Sequence, residues 1–389
     1  MAIAAAFVLS IGGFARGDDA AKDVAAAKSA KTPAIATAKA KPRLSPELAA
    51  LRDQVRQQLA AAQKRAFNTQ QNSATEILSV CLALGCDGEV STEGSDGRRI
   101  NSIACLCYNY PCQGFELLGS SNNLPAARIG YGCQEHPGEF LAMLAMSRVA
   151  GSYSVRVGGK TFQVADLVES EKLGCRSGAD LSLKLIGLAH YVTEPEWKND
   201  LGETWSIERM IADELNQPTA TAADGGLNRL LGVSYAVARR AKSGQPLDGE
   251  YQRAQKYVAS CQDYALRLQN GDGTWGPHFL AARTAGGEPL SDLRSTGYVL
   301  EWLALSLPEE KLTDPRLVNA VESVLRLVGN QRYQWNAPSL STQEIVSLGH
   351  ALHALAIYDQ RAFARFDTSE KPVAEQQPAT AANRTDESR

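Results

Sequence analysis

No segment of this sequence carries a block of lysine or arginine; the one lysine-bearing stretch, near the N-terminus, is dilute. Forty basic and 43 acidic residues leave a net charge of −3. A phosphate backbone would demand a basic face, so nucleic acid is excluded as a partner. Apolar runs of bilayer-spanning length are missing too. The first fifteen residues, MAIAAAFVLSIGGFA, are too short to cross comfortably, and no transmembrane helix is expected in the mature chain. No C-x-x-C occurs, which removes the usual spacing of a redox dithiol. What remains is ordinary globular composition, 44% apolar and 21% charged over 389 residues. That is enough for a sizeable core in one large domain or two smaller ones.

The apolar start has the length of a signal-peptide core, with Gly13 and Ala15 at a plausible cleavage site, although no Lys or Arg precedes it. Residues 1–15 are therefore expected to direct export, to a periplasmic or extracellular place, the alternative being a plain Ala-rich leader. No cysteine follows the run to carry a lipid anchor. Residues 16–44, rich in Ala, Lys, Asp and Thr without hydrophobic period, read as a solvated linker. Residues 367–389 read as a disordered tail, and the folded domain is expected over 45–366. Ser45-Pro46-Glu47 begins it as a helix start: capping hydroxyl, proline in the first position, acid at the positive dipole end.

Six segments share one character, apolar at three-to-four spacing and studded with small residues: 73–85, 138–149, 181–192, 226–240, 292–308 and 342–359. More charged, amphipathic helices are expected between them, over 45–67, 163–173, 205–216, 249–269 and 315–328. An apolar helix must be surrounded, whereas an amphipathic one can face water. The alternation at a loose period near fifty therefore predicts an all-α chain. In it about six inner helices would be ringed by five or six outer ones, an α/α toroid. Two stretches interrupt the pattern. Residues 87–135 read as a long Cys-rich loop insertion. Residues 151–164, alternating around Gly158-Gly159, read as a small β-hairpin.

Six of the eight cysteines, Cys81, Cys86, Cys105, Cys107, Cys112 and Cys133, crowd into or beside that insertion, while Cys175 and Cys261 stand apart. In an exported chain this predicts two or three disulfides, with Cys105 and Cys107 pairing with different partners among Cys112, Cys133, Cys81 and Cys86. A structural metal would need an unusual spacing, and a reactive thiol is the remaining reading. No metal and no cofactor is expected. Tyr108, Tyr110 and Tyr131 either line a ligand cleft beside this segment or pack the loop onto the helices.

The stretch QNGDGTWG, residues 269–276, follows a long amphipathic helix with Gln269, Asp272, Gly273 and Trp275 in a distinctive order. It resembles the QW motif of triterpene cyclases. With the helix alternation, the chain resembles the superfamily of squalene and terpene cyclases and protein prenyltransferase β-subunits. The resemblance implies a toroid in which the glutamine bonds a neighbouring helix and the indole packs on the preceding turn, with φ > 0 residues in the tight turn. NQRYQWNAPS, 330–339, is a weaker second copy. Segments between 66 and 366, among them CLCYNYPCQGFELL and ARIGYGCQEHPGEFLAMLAMSRV, are similar to a family of uncharacterised exported bacterial proteins. Some of these are labelled ADP-ribosylation factor-directed GTPase activators. That label implies a C-x2-C-x16-C-x2-C zinc finger, and the C-x4-C and C-x-C-x4-C here depart from it. The cyclase acid run D-x-D-D-T and the prenyltransferase zinc signature D-x-C are both absent. The resemblance thus carries architecture without either catalytic set.

Candidate chemistry is sparse. His350 and His353 lie three apart on an apolar segment, so both rings point one way, as ligands, as acid–base groups or simply as core residues. His136 and Glu139 fall at the start of another inner segment, where a pair could shuttle a proton at the ring mouth. Glu76, Glu139, Glu301 and Glu344 are carboxylates on inner segments, costly there unless paired or used. Three functions follow. The first is an envelope module that binds a glycan, protein or other ligand without chemistry. The second is a polysaccharide lyase or glycoside hydrolase using these carboxylates. The third is a terpenoid- or prenyl-processing enzyme. Two acids and a basic residue converging on one deep pocket would favour the second; an apolar, tyrosine-lined pocket would favour the first.

Overall fold

Residues 42–366 are described by the computed structural model, apart from 219–221, 285–286, 331–339 and 365. The expected signal peptide 1–15, the linker up to residue 41, the tail 367–389 and nearly all of the second QW-like stretch lie outside the described residues. Among the described residues there are twelve α-helices and nine short strands.

Six helices form a closed ring: α2 (Ala74–Leu84), α4 (Glu139–Met146), α6 (Ser182–Tyr191), α8 (Leu227–Lys242), α10 (Pro289–Ser306) and α12 (Thr342–Ala362). Each packs against the next, and α12 returns against α2. A second set lies outside them: α1 (Pro46–Ala62), α3 (Ser102–Cys107), α5 (Val164–Leu173), α7 (Ile207–Leu215), α9 (Gly249–Leu268) and α11 (Pro315–Val328). Helix α1 packs on α11 and α12, α5 on α4 and α6, and α9 on α7 and α8. Local chemistry sets the ends. Ser45 caps α1 by accepting from Leu48 N at 3.3 Å, with Pro46 first in the helix. Ser341 and Glu344 form a reciprocal capping box on α12.

The inner helices meet through small residues. A Cβ on Gly232 of α8 would come 2.1 Å from the carbonyl oxygen of Ser182 on α6, and one on Gly349 of α12 would come 3.0 Å from that of Ser79 on α2. Gly187 makes room for the Leu141 side chain, while Gly297 against Ala351 makes a similar backbone approach at a further seam. Backbones this close leave no room for a side chain between them, which is why these positions are glycine.

The all-α expectation is overturned by the nine strands, which form one three-stranded and three two-stranded sheets; the helix count itself remains compatible with a toroid. The Cys-rich insertion is not a bare loop. Strands β1 (Phe67–Asn68), β2 (Glu89–Ser91) and β3 (Arg99–Asn101) form a sheet that leads into α3, and β4 (Leu118–Ser121) pairs with β5 (Leu124–Ala127). The 151–164 stretch contains β6 (Ser154–Val157) and β7 (Lys160–Gln163), paired around Gly158-Gly159. Strands β8 (Trp197–Lys198) and β9 (Thr204–Trp205) make the last sheet. With two to four residues each, these strands are too short for period-two alternation to register.

The QNGDGTWG stretch clasps three helices. The Gln269 amide donates to the carbonyls of Gly273 at 3.0 Å and Arg316, in the first turn of α11, at 2.9 Å. The fully buried Trp275 indole donates to Ala265 O of α9 at 2.8 Å, and its backbone N–H donates to the Thr296 hydroxyl of α10 at 3.1 Å. Gly273 sits at φ 87 with Asn319 O where a Cβ would fall. Burial opposes ionisation of Asp272, but donors from Thr274 outweigh it and hold the carboxyl below its usual value.

Replacing Gly232 by alanine gains up to about 1 kcal/mol of helix propensity but forces a backbone contact that costs ~1–3 kcal/mol. The variant is expected to unfold at lower urea concentration than wild type. Gly271→Ala, with no neighbour in reach, should stay within about 0.5 kcal/mol. Equal midpoints for the two variants would contradict the close-packed seam.

Candidate functional site

The ring encloses a cavity of about 880 Å³. All six inner helices contribute, and the shares of α8, α10 and α12 come from their N-terminal halves. Apolar parts of the wall are made by residues such as Leu78, Met143, Leu231 and Phe279. Polar groups are interspersed: Glu135, His136, Glu139, Asp224, Glu288, Arg294, Tyr298 and His350. First-turn residues of α4, α8, α10 and α12 are part of this lining.

Glu139 is the first residue of α4. Its Oε2 accepts from the backbone N–H groups of Glu135 at 2.7 Å and His136 at 3.1 Å. Burial is the larger effect, and it pushes the carboxyl above its ordinary value despite those donors. Across from it, Asp224 is held in the left-handed region, φ 54 and ψ 30, in the turn before α8. It is ion-paired with Arg294 of α10, and its other oxygen lies 3.7 Å from His136 Nε2. His136 Nδ1 faces Asp180 at 4.0 Å. A non-glycine residue in this backbone region is strained, and such strain persists where surroundings impose it, commonly at sites.

The opposite wall is built on Glu301. This carboxylate is almost wholly buried between α10 and α12 and contacts Nδ1 of both His350 and His353 at 2.6 Å. Burial alone would raise its pKa, but the two imidazoles outweigh that and hold it down to about 2. An ionised carboxylate only accepts, so each imidazole carries its proton on Nδ1. In the neutral ring of His350, which lines the cavity, Nε2 is then the acceptor. Tyr298 lies one turn before Glu301 with its ring centroid 3.8 Å from that of His350. Burial first, and repulsion from Asp224 second, push its phenol well above 10, so it stays protonated.

The sequence-predicted residues divide clearly. His136, Glu139 and His350 line the cavity; Glu301 and His353 support it from behind. Glu76 and Glu344 do not enter it. Glu76 accepts from Asn72 at 2.8 Å and Thr342 at 2.6 Å, tying α2 to the start of α12, and Glu344 is spent in the capping box. Tyr108, Tyr110 and Tyr131 are not among the lining residues. Tyr108 stacks on Tyr153 and lies under Arg156, whereas Tyr131 is 87% exposed with Phe115 edge-on to it. Asp224, Arg294 and Tyr298 were missed. For the last two a signal was available: Arg294, Tyr298 and Glu301 repeat at four and three along one face of an otherwise apolar helix.

The eight cysteines are thiols in the structure, and among the described residues no group of three or more His, Cys, Asp or Glu is placed to hold a metal ion. Nor is any described helix long and apolar enough to cross a membrane. Comparison of the chain with protein families, with curated proteins and with solved structures finds no match.

Because the folded value of Glu301 lies below its ordinary 4.5, its ion pairs stabilise the protein above that pH and are lost as the pH falls toward about 2. Urea midpoints measured down that range are expected to fall. Glu301→Gln should be less stable at neutral pH and should flatten the acid limb. An unchanged limb in the variant would remove Glu301 as its source.

Proposed function

We propose that the central cavity is the active site of an enzyme that cleaves a glycosidic bond by acid–base hydrolysis. The observation that carries this reading is the convergence of two carboxylates in unlike settings, Glu139 and Asp224, with a carboxylate-oriented histidine in one deep cavity. A carboxyl raised by burial beside a separate acceptor can supply an acid and a base at one pH. Glu139, its carboxyl raised toward protonation by burial, donates to the leaving oxygen. His350 Nε2, oriented through Nδ1 by Glu301, takes a proton from the attacking water. Asp224 and the polar rim position the sugar, and the apolar wall holds its hydrophobic face.

Charge decides between hydrolysis and elimination. Besides the acid Glu139, the lining holds three carboxylates, Glu135, Asp224 and Glu288, against one guanidinium, and Asp224 already pairs with that guanidinium. A uronate, the substrate of lyase chemistry, would be repelled by this surplus, so a neutral or amino-bearing glycan fits better. A purely binding module has less support, because it gives no role to a carboxyl raised by burial and an oriented histidine in one cavity lining. Export to the envelope, where such glycans occur, belongs to the same proposal.

Purified protein should release reducing ends from one member of a panel of neutral and amino-bearing polysaccharides, without the ultraviolet absorbance of an unsaturated product. Glu139→Gln should lose ~10²–10⁴-fold in kcat, the usual worth of a general acid. The loss should be much smaller on aryl glycosides, whose leaving groups need no proton. A wild type inert on the whole panel, or a Glu139→Gln variant equally active on natural and aryl substrates, would sink the assignment.

A further inference from the structure

The cysteine-rich segment plays no part in the chemistry above, yet it is folded with care. Helix α3 ends at Cys107, where Tyr108 N donates to Ala104 O at 2.9 Å. Asn109 then turns the chain at φ 57, and Tyr110 N returns to the carbonyl of Cys105 at 3.0 Å. The Asn109 side chain locks this turn, accepting from Leu118 N at 2.7 Å and donating to Leu118 O at 3.0 Å. Cys112 N donates to Phe115 O at 2.8 Å and Phe115 N to Cys112 O at 3.0 Å. The chain is thus folded back on the last turn of α3, and the Cys112 thiol lies against that of Cys105, both fully buried.

Of the remaining thiols, Cys81 is buried close to both of these sulfurs, whereas Cys86 lies exposed 3.8 Å from Ser147 O and Cys133 is 3.9 Å from Glu116 O. Cys175 is 3.5 Å from Glu171 O, on a different part of the chain.

We propose that Cys105 and Cys112 are joined by a disulfide in the mature protein, formed by exchange with an oxidised dithiol of the thiol–disulfide oxidoreductase class. The Cys112 thiolate attacks one donor sulfur, making a mixed disulfide and releasing the other donor sulfur as thiolate. The Cys105 thiolate then attacks the Cys112 sulfur and displaces the donor. The donor leaves as a dithiol carrying two electrons and two protons, and the protein loses two thiol hydrogens. Both sulfurs are inaccessible in the folded chain, so exchange precedes closure of the turn. After closure, hydrogen bonding with Cys112 and burial push ionisation of Cys105 far up, which leaves no attacking thiolate. The bond closes a short ring, and from it the chain runs directly to Phe115. That ring stands edge-on to Tyr131, whose loop continues through Cys133 and Gln134 to Glu135 and His136 in the cavity wall. The cross-link stiffens one approach to the cavity.

The test uses full-length protein from its natural host, purified without reductant, alkylated in denaturant and digested with trypsin. Residues 100–128 form one peptide holding Cys105, Cys107 and Cys112. It is expected to carry one alkyl group, on Cys107, before reduction and three after it. Cys107→Ser should carry none before reduction and two after, which separates this pairing from a Cys107–Cys112 bond. Three alkyl groups without reduction, or fragments linking Cys105 to any other cysteine, would overturn the proposal.

Discussion

The structure depends on how closely the inner helices approach. At the seam between α6 and α8 a single methyl group would meet a backbone carbonyl, and α12 meets α2 through Gly349 and Ser79 in the same manner. Close backbones leave few side chains to fill the seams, so polar groups fix the relative positions of the helices. A buried acid stands at three of these junctions. Glu76 bonds the Thr342 hydroxyl where α12 meets α2, and Glu301 clamps α12 to α10 through two histidines. Glu214 of α7, fully buried, accepts from Leu181 N at 2.8 Å and Ser182 at 3.1 Å while paired with Arg229 of α8 at 2.7 Å. Each carboxylate is costly to bury alone, and each is matched by donors on the element it joins. Geometry at the seams is specified more sharply than apolar packing would specify it.

The cavity chemistry grows out of the same device. Glu301 belongs to the wall, yet by fixing the tautomer of His350 it decides which nitrogen the cavity sees. Glu139 caps a turn with its own carboxylate and, because it is buried while doing so, is raised toward protonation. Asp224 sits on a strained turn that α10 holds in place through Arg294. Structural and chemical roles are carried by the same atoms.

Much of the helical layout is visible in the chain because an apolar helix studded with small residues has no other comfortable place than between neighbours. The six inner segments and the clasp at Gln269–Trp275 are of that kind. The short strands between Phe67 and Ala127 are not, since two to four residues carry no period. The site was half legible. His136, Glu139, Glu301 and His350 stood out as polar residues on apolar segments. Asp224 did not, because its importance comes from a left-handed turn and a partner 70 residues away. Glu76 and Glu344 looked the same in sequence as Glu139. Only the direction of each side chain, toward a cap or toward the cavity, separates them.

A ring whose first and last helices are neighbours has a temporal consequence. While α12 is still being made, α2 has no partner on one side, Glu76 has no Thr342, and Glu301 faces no histidine. The cavity is therefore the last thing to exist: the helices made before α12 can stack progressively, but the enclosed volume appears only when residues near 350 reach residues near 79. Loop closure across such a separation is slow compared with stacking adjacent helices. A ribosome-bound chain is an open arc with its apolar inner face uncovered, and it becomes a vessel only in a single late step.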